Sequence, residues 1–212
     1  MDKGEGTRVE YLFLFPNAQS AQPLKESNSL HSSKYSIDWG TIAIKRNVGA
    51  GTHKFSEIFS GFATLRAVRD VFGDKTEQVL RDLTVEVFPR DGYMGVSDED
   101  GHVFASQTYL NTGELWTIYL DIVHELVHVK QFTEGKNLFD DAYAYVDRPT
   151  EVEAYRVAAN EARRVGLDEL KIFEYLKVPW ITRKEHERLA LNCGVPAEVI
   201  ESSKRRRVKQ KH

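Results

Sequence analysis

The sequence contains one cysteine, Cys193, in 212 residues. A single thiol excludes an intramolecular disulfide and any cysteine-based zinc cluster, and it fits a reducing compartment. Long apolar runs are missing too. The longest near the N-terminus covers residues 11–15, bounded by Glu10 and Pro16. That is too short for a signal-peptide core and far too short to span a bilayer. The expectation is a cytoplasmic protein with no membrane partner. An excess of one charge sign is also lacking: the formal net charge is -3, so no global field draws nucleic acid or acidic lipid. The exception is the end of the chain, where residues 204–212 hold six Lys or Arg and no acid. No aromatic interrupts that stretch, which argues against stacking on single-stranded nucleic acid. It reads as a solvated, disordered tail, with a nucleic-acid contact as the alternative.

What is there is an ordinary globular composition, 41% hydrophobic and 29% charged, in a chain long enough for one domain with a substantial core. Residues 1–7 read as frayed, 8–15 as a strand, and 17–36 as a polar loop. Trp39, Ile42 and Ile44 nearly alternate within 37–48, which predicts a strand. From Phe55 the period changes: Phe55, Ile58, Phe59, Phe62, Leu65, Val68 and Val71 recur at three- and four-residue steps, predicting an amphipathic helix closed by Gly73. Residues 84–88 alternate and predict a strand. A further strand is expected over 102–110, before the break at 111–113. A helix from Glu114 to Phe132, stopped by Gly135, follows. Pro149 suits the first turn of the next helix, which ends at Gly166. Three shorter helical patterns cover 168–175, 182–192 and 196–202, with Trp180 and Leu189 as packing anchors. The expected fold class is α+β, a mixed strand-and-helix part followed by a helical C-terminal part. The expected organisation is a domain over 1–166, a helical appendage over 167–202 and the basic tail over 203–212.

The chemistry concentrates in His124-Glu125-Leu126-Val127-His128. Positions i and i+4 lie above one another on one helix face, so both imidazoles aim at one point about 2.0–2.1 Å away, the distance a zinc ion requires. Glu125 projects beside that point, where it reaches a metal-bound water and takes its proton during attack on a carbonyl. Two histidines and an acid among Tyr119, Ile122, Val123, Leu126, Val127 and Val129 need a polar partner, and a metal is the simplest. A catalytic zinc takes a third protein ligand and keeps one position open. Glu151 and Glu153 are about 200° apart around a helix. The apolar face marked by Ala154, Val157, Ala158, Ala162 and Val165 favours Glu151 as that ligand, with Glu153 as the fallback. Oxyanion donors remain open among Tyr143, Tyr145, Tyr155 and Arg148. His31, His53 and His186 read as surface residues, and His102 as the start of a strand.

An HExxH helix followed by a glutamate on a later helix resembles the gluzincin group of zinc metallopeptidases. The small gluzincins, ImmA/IrrE-type peptidases and CAAX prenyl endopeptidases have a second motif, E-x-x-A-D or E-x-x-A-N, whose first glutamate is the zinc ligand. Glu151-Val152-Glu153-Ala154-Tyr155 matches it through the alanine, which again points to Glu151. Tyr155 departs from it, standing where the group has the acid or amide that supports a metal-bound histidine. Gln131 extends the first motif to His-Glu-x-x-His-x-x-Gln. The resemblance spans residues 84–165 and implies a zincin-like fold: a small mixed or antiparallel sheet whose edge strand, here 103–110, lies along the active-site helix and pairs with a bound peptide. It implies a zinc-dependent endopeptidase with one Zn2+ per chain, held by His124, His128 and Glu151, with Glu125 as general base and a peptide or protein as substrate. The alternatives are a regulatory zincin-fold protein with restricted or no general proteolytic activity, and a non-enzymatic binding protein that works through its basic tail.

Overall fold

The computed structural model describes residues 36–209, the last six by backbone course alone. The expected frayed end, the strand over 8–15 and nearly all of the polar loop over 17–36 lie outside the described residues, as does His31. The architecture is α+β. A four-stranded sheet is built from β2 (Gly51–Lys54), β4 (Thr84–Phe88), β5 (Met94–Val96) and β6 (Val103–Ser106), in the order β2-β4-β6-β5. It is mixed: β2 and β5 run antiparallel to their neighbours, while β4 and β6 run parallel. A two-stranded antiparallel ribbon joins β1 (Ala43–Ile44) to β3 (Phe59–Ser60).

The strand expected over 102–110 is therefore not an edge. β6 is central, all four of its residues are buried, and from Gln107 the chain turns into helix α4 (Gln107–Thr112), capped by the Ser106 hydroxyl. The edges belong to β2 and β5, and β5 is the one that packs beside the long helix over residues 115–133. Burial on both faces is what removes the alternation that marks an edge strand. β5 itself escapes notice because it has three residues and contains a glycine. Gly95 is needed there, since a Cβ would sit 2.3 Å from the Phe104 ring.

The long amphipathic helix expected from Phe55 is broken into α1 (Phe55–Ile58), β3, a 3-10 turn over Phe62–Thr64 and α2 (Arg66–Phe72), with α3 (Thr76–Asp82) beyond. The break lies at Gly61, whose φ of +80° is left-handed and whose absent Cβ would fall 2.1 Å from the Thr41 carbonyl oxygen. The three- and four-residue spacing still has a purpose, because Phe55, Phe59 and Phe62 cluster and Phe62 packs on Tyr119, 5.7 Å away. The strand expected over 37–48 shrinks to β1.

Helix α5 (Leu115–Thr133) runs through the centre of the molecule. Ile118 to Val129 are almost wholly buried apart from Asp121, as expected of a helix apolar on all sides. The sheet and α2 cover part of it, and α6 (Pro149–Arg164) makes its most extensive contact. Ala154, Ala158 and Ala162 form the buried stripe of α6 and let the two helices approach closely. The buried Glu161 carboxylate accepts from the Tyr119 hydroxyl and from Arg164, which ties the helices together. Gly135 ends the first helix in a left-handed conformation. α7 (Glu169–Tyr175), α8 (Arg183–Asn192) and α9 (Ala197–Lys209) complete the chain. Asp168 and Thr182 cap the first two of these. α9 continues through Lys209, so the basic stretch is helical up to that residue where an unstructured end was expected. No helix among the described residues is long and apolar enough to cross a membrane.

Candidate metal centre

Docking α6 on α5 brings His124, His128 and Glu151 together at the helix contact, all buried. The two Nε2 atoms are 2.9 Å apart, and Oε2 of Glu151 is 3.5 and 3.6 Å from them. Donors 2.0–2.1 Å from a shared tetrahedral centre would lie roughly 3.3 Å from one another. The observed spacing fits an ion with little rearrangement. Oε2 of Glu151 is also a buried carboxylate oxygen with no hydrogen bond, an arrangement that costs free energy unless a cation compensates it. Two imidazoles and one carboxylate are a donor set suited to zinc. Glu153, the fallback ligand, stays outside: its carboxylate accepts from Gln131 and Lys136.

Gln131 explains the orientation of His128. Its amide nitrogen donates to the Thr150 carbonyl at 3.0 Å and to Glu153 at 2.9 Å. Two acceptors on that side fix which end of the amide is nitrogen. Oε1 must then accept, at 2.7 Å, from Nδ1 of His128. A proton on Nδ1 directs the Nε2 lone pair into the cluster. His124 has no such support, and its Nδ1 is buried without a partner. Tyr155 packs its ring on the His124 imidazole, centroids 4.2 Å apart, and directs its hydroxyl to Tyr145 instead.

The charges are strongly coupled. Burial alone would raise the pKa of Glu151, but the charge on His128 and the nearby imidazoles of both histidines hold it far below the ordinary range. Burial opposes the charge on His128, yet Glu151 and Glu125 beside it and the Gln131 contact raise its pKa to about 9. Burial lowers that of His124. Glu125 is raised to about 8, chiefly by burial and further by the charges of Glu151 and Asp121. A carboxylate held near neutrality is suited to exchanging protons with substrate.

Glu125 and the three clustered residues line a cavity of about 770 Å³. One wall is β5. Another is made of Tyr175 and residues 177–180. Trp180, expected as a packing anchor, thus lines the cavity, with its ring 5.7 Å from both Tyr93 and Tyr145. Leu189 is fully buried, as an anchor should be. Of the oxyanion candidates, Tyr145, Tyr155 and Arg148 reach the cavity, while Tyr143 is exposed. His102 bonds to Asp100, and His53 to the Gly49 carbonyl. His186 is not a surface residue: it is buried, stacks on Phe173 at 4.1 Å and bonds to that residue's carbonyl. Its apolar partner lies thirteen positions away, beyond the reach of local pattern.

Asp121 is the cavity residue the sequence reading missed. It is the sole charged side chain between Glu114 and His124, and that isolation in an apolar helix was the available signal. Comparison of the chain with protein-family models, with curated proteins and with solved structures finds no match.

Proposed function

We propose that the chain is a zinc-dependent metalloendopeptidase of the gluzincin type with a zincin-like fold. His124, His128 and Glu151 would hold the ion. The observation that carries the reading is their buried convergence, with the orphaned Glu151 oxygen, at the floor of a cavity that also exposes Glu125. Zinc, when bound, supplies a Lewis acid that polarises the scissile carbonyl and acidifies water. Glu125 takes the proton of the attacking water and returns it to the leaving nitrogen. Its raised pKa in the metal-free protein fits the second role, and a neighbouring divalent charge favours the ionised form needed for the first. Tyr145, Tyr155 and Arg148 are the groups from which oxyanion support would come. The substrate backbone would lie along β5, whose outer edge pairs with no strand among the described residues, and extend the sheet by one strand. An open cavity beside that strand, among the described residues, supports cleavage over a purely regulatory role.

The test is zinc content together with cleavage of casein or a peptide mixture, in wild type and Glu125→Gln. Wild type should bind one zinc and cleave. The variant should keep the zinc and lose at least about a hundredfold in activity, the low end for a lost general base. Equal cleavage by both proteins would overturn the role of Glu125, and no zinc in either would overturn the metal centre.

A further inference from the structure

Asp121 lies one helical turn before Glu125 and faces the same cavity. A carboxylate in so apolar a helix is costly to desolvate, and burial pushes its pKa up to about 6. Only part of that cost is offset internally. The Tyr109 hydroxyl donates to Oδ2. The Tyr175 hydroxyl, buried on the adjoining wall, lies close enough to favour the ionised form but completes no hydrogen bond of its own. A carboxylate accepts about four hydrogen bonds, and Asp121 remains half-buried, open on the cavity side. No Lys or Arg forms an ion pair with it among the described residues. Of the cations on the cavity wall, Arg148 turns to Glu151 at 4.0 Å, and Lys177 is exposed. The approach to Asp121 is aromatic, with Tyr93 and Tyr109 at 5.6 Å and Trp180 beside them. Aromatic faces with an anion beyond them accommodate the long stem and cationic head of Lys or Arg.

We propose that this recess is a specificity pocket for a basic side chain, with Asp121 as its counter-charge and the Tyr109 hydroxyl holding that carboxylate. The substrate class rests on the peptidase reading, while the ligand chemistry rests on the recess itself. One turn from Glu125, the pocket selects a Lys or Arg next to the scissile bond.

Two measurements keep these readings separable. The first needs neither metal nor catalysis. Metal-free protein is titrated with acetyl-Gly-Arg-Gly-amide, with its citrulline counterpart, which has nearly the same shape and no charge, and with the citrulline peptide carrying a free N-terminus, following tryptophan fluorescence with Trp180→Phe as the signal control. The arginine peptide should bind about tenfold or more tighter than blocked citrulline. Asp121→Asn, which can still accept from Tyr109, should abolish that ratio, and Tyr109→Phe, which keeps the charge, should retain it. Equal binding of arginine and citrulline, a ratio unchanged in Asp121→Asn, or equal loss in both variants would overturn the proposal. Preference for the free N-terminus would overturn the side-chain assignment. The second measurement maps the bonds that zinc-loaded wild type cleaves in a peptide mixture. Lys or Arg should be enriched beside the cut, and Asp121→Asn should lose the enrichment. Charge discrimination without any cleavage refutes the peptidase reading and leaves the pocket standing. Cleavage without basic enrichment and without discrimination refutes the pocket alone.

Discussion

Replacing Gln131 by Leu tests whether His128 is oriented by the amide or by packing alone. The volumes are similar, so the change removes polarity more than bulk. It deletes three hydrogen bonds, of which those to His128 and to the Thr150 carbonyl lie in the interior. The third, to the partly exposed Glu153, counts for less. Each buried bond contributes about 0.5–1.5 kcal/mol net, and the stranded Nδ1–H of His128 adds desolvation of about 1–3 kcal/mol when left unpaired, while the Thr150 carbonyl keeps its acceptor role within α6. Some relaxation is expected, so the metal-free variant should lose about 2–4 kcal/mol, or roughly 5–15 °C in Tm for a chain of this size. The separate effect is on the metal. With Nδ1 no longer held, the Nε2 lone pair loses its fixed direction, and zinc affinity should fall about 10–100-fold. Competition with a chromophoric chelator measures the affinity, and thermal unfolding in chelator measures the stability. Gln131→Glu is the control, because its carboxylate still accepts from Nδ1 while losing the donation to Thr150. It should recover much of the affinity and little of the stability. A leucine variant that unfolds earlier but binds zinc as tightly as wild type would refute the argument, since the amide would then be structural only.

Glu151→Gln should reduce zinc binding to background while Glu153→Gln leaves stoichiometry at one; zinc lost only with Glu153→Gln would reverse the assignment. Because Asp121 is raised to about 6 by burial, native protein holds a proton between the ordinary carboxylate value and about pH 6 that the unfolded chain has released. Metal-free stability should therefore fall as pH rises through that window, by at most about 3 kcal/mol from this group, and denaturant titrations of Asp121→Asn should lack this component; an unchanged slope would count against it. The buried Cys193 thiol, pushed up to about 12 by burial, should resist a thiol reagent at pH 8 in native protein and react at once in denaturant; fast native labelling would contradict its burial.

The elements carrying the candidate site were the most readable, for a physical reason. Helix periodicity, the Pro149 start and the Gly135 stop are local signals, and they located α5 and α6 to within a residue or two. Two histidines one turn apart and Glu151 on an apolar face are likewise local facts. What stayed hidden is set by partners distant in sequence. β6 loses its alternation because both of its faces are buried against segments distant in sequence. Phe55, Phe59 and Phe62 keep a helical spacing across a chain that Gly61 turns sharply. The cavity wall joins Tyr93 to Trp180, and nothing near either residue announces the other. Asp121 was visible as an oddity in composition, but its meaning depends on Tyr109 and Tyr175, brought to it from α4 and α7.

The division of the cluster between two helices would couple any ion binding to assembly of the interior. His124 and His128 are neighbours in any helix that includes both, whereas Glu151 joins them only when α6 has docked on α5. A complete set of three donors is thus a property of the native state, and the unfolded chain has at most a weak pair. By mass action, an ion that requires all three adds RT ln(1 + [L]/Kd) to the unfolding free energy, about 2.7 kcal/mol at a hundredfold excess over Kd. Unfolding midpoints should rise with the logarithm of free zinc, which makes the same cluster a gauge of whether the two central helices are joined.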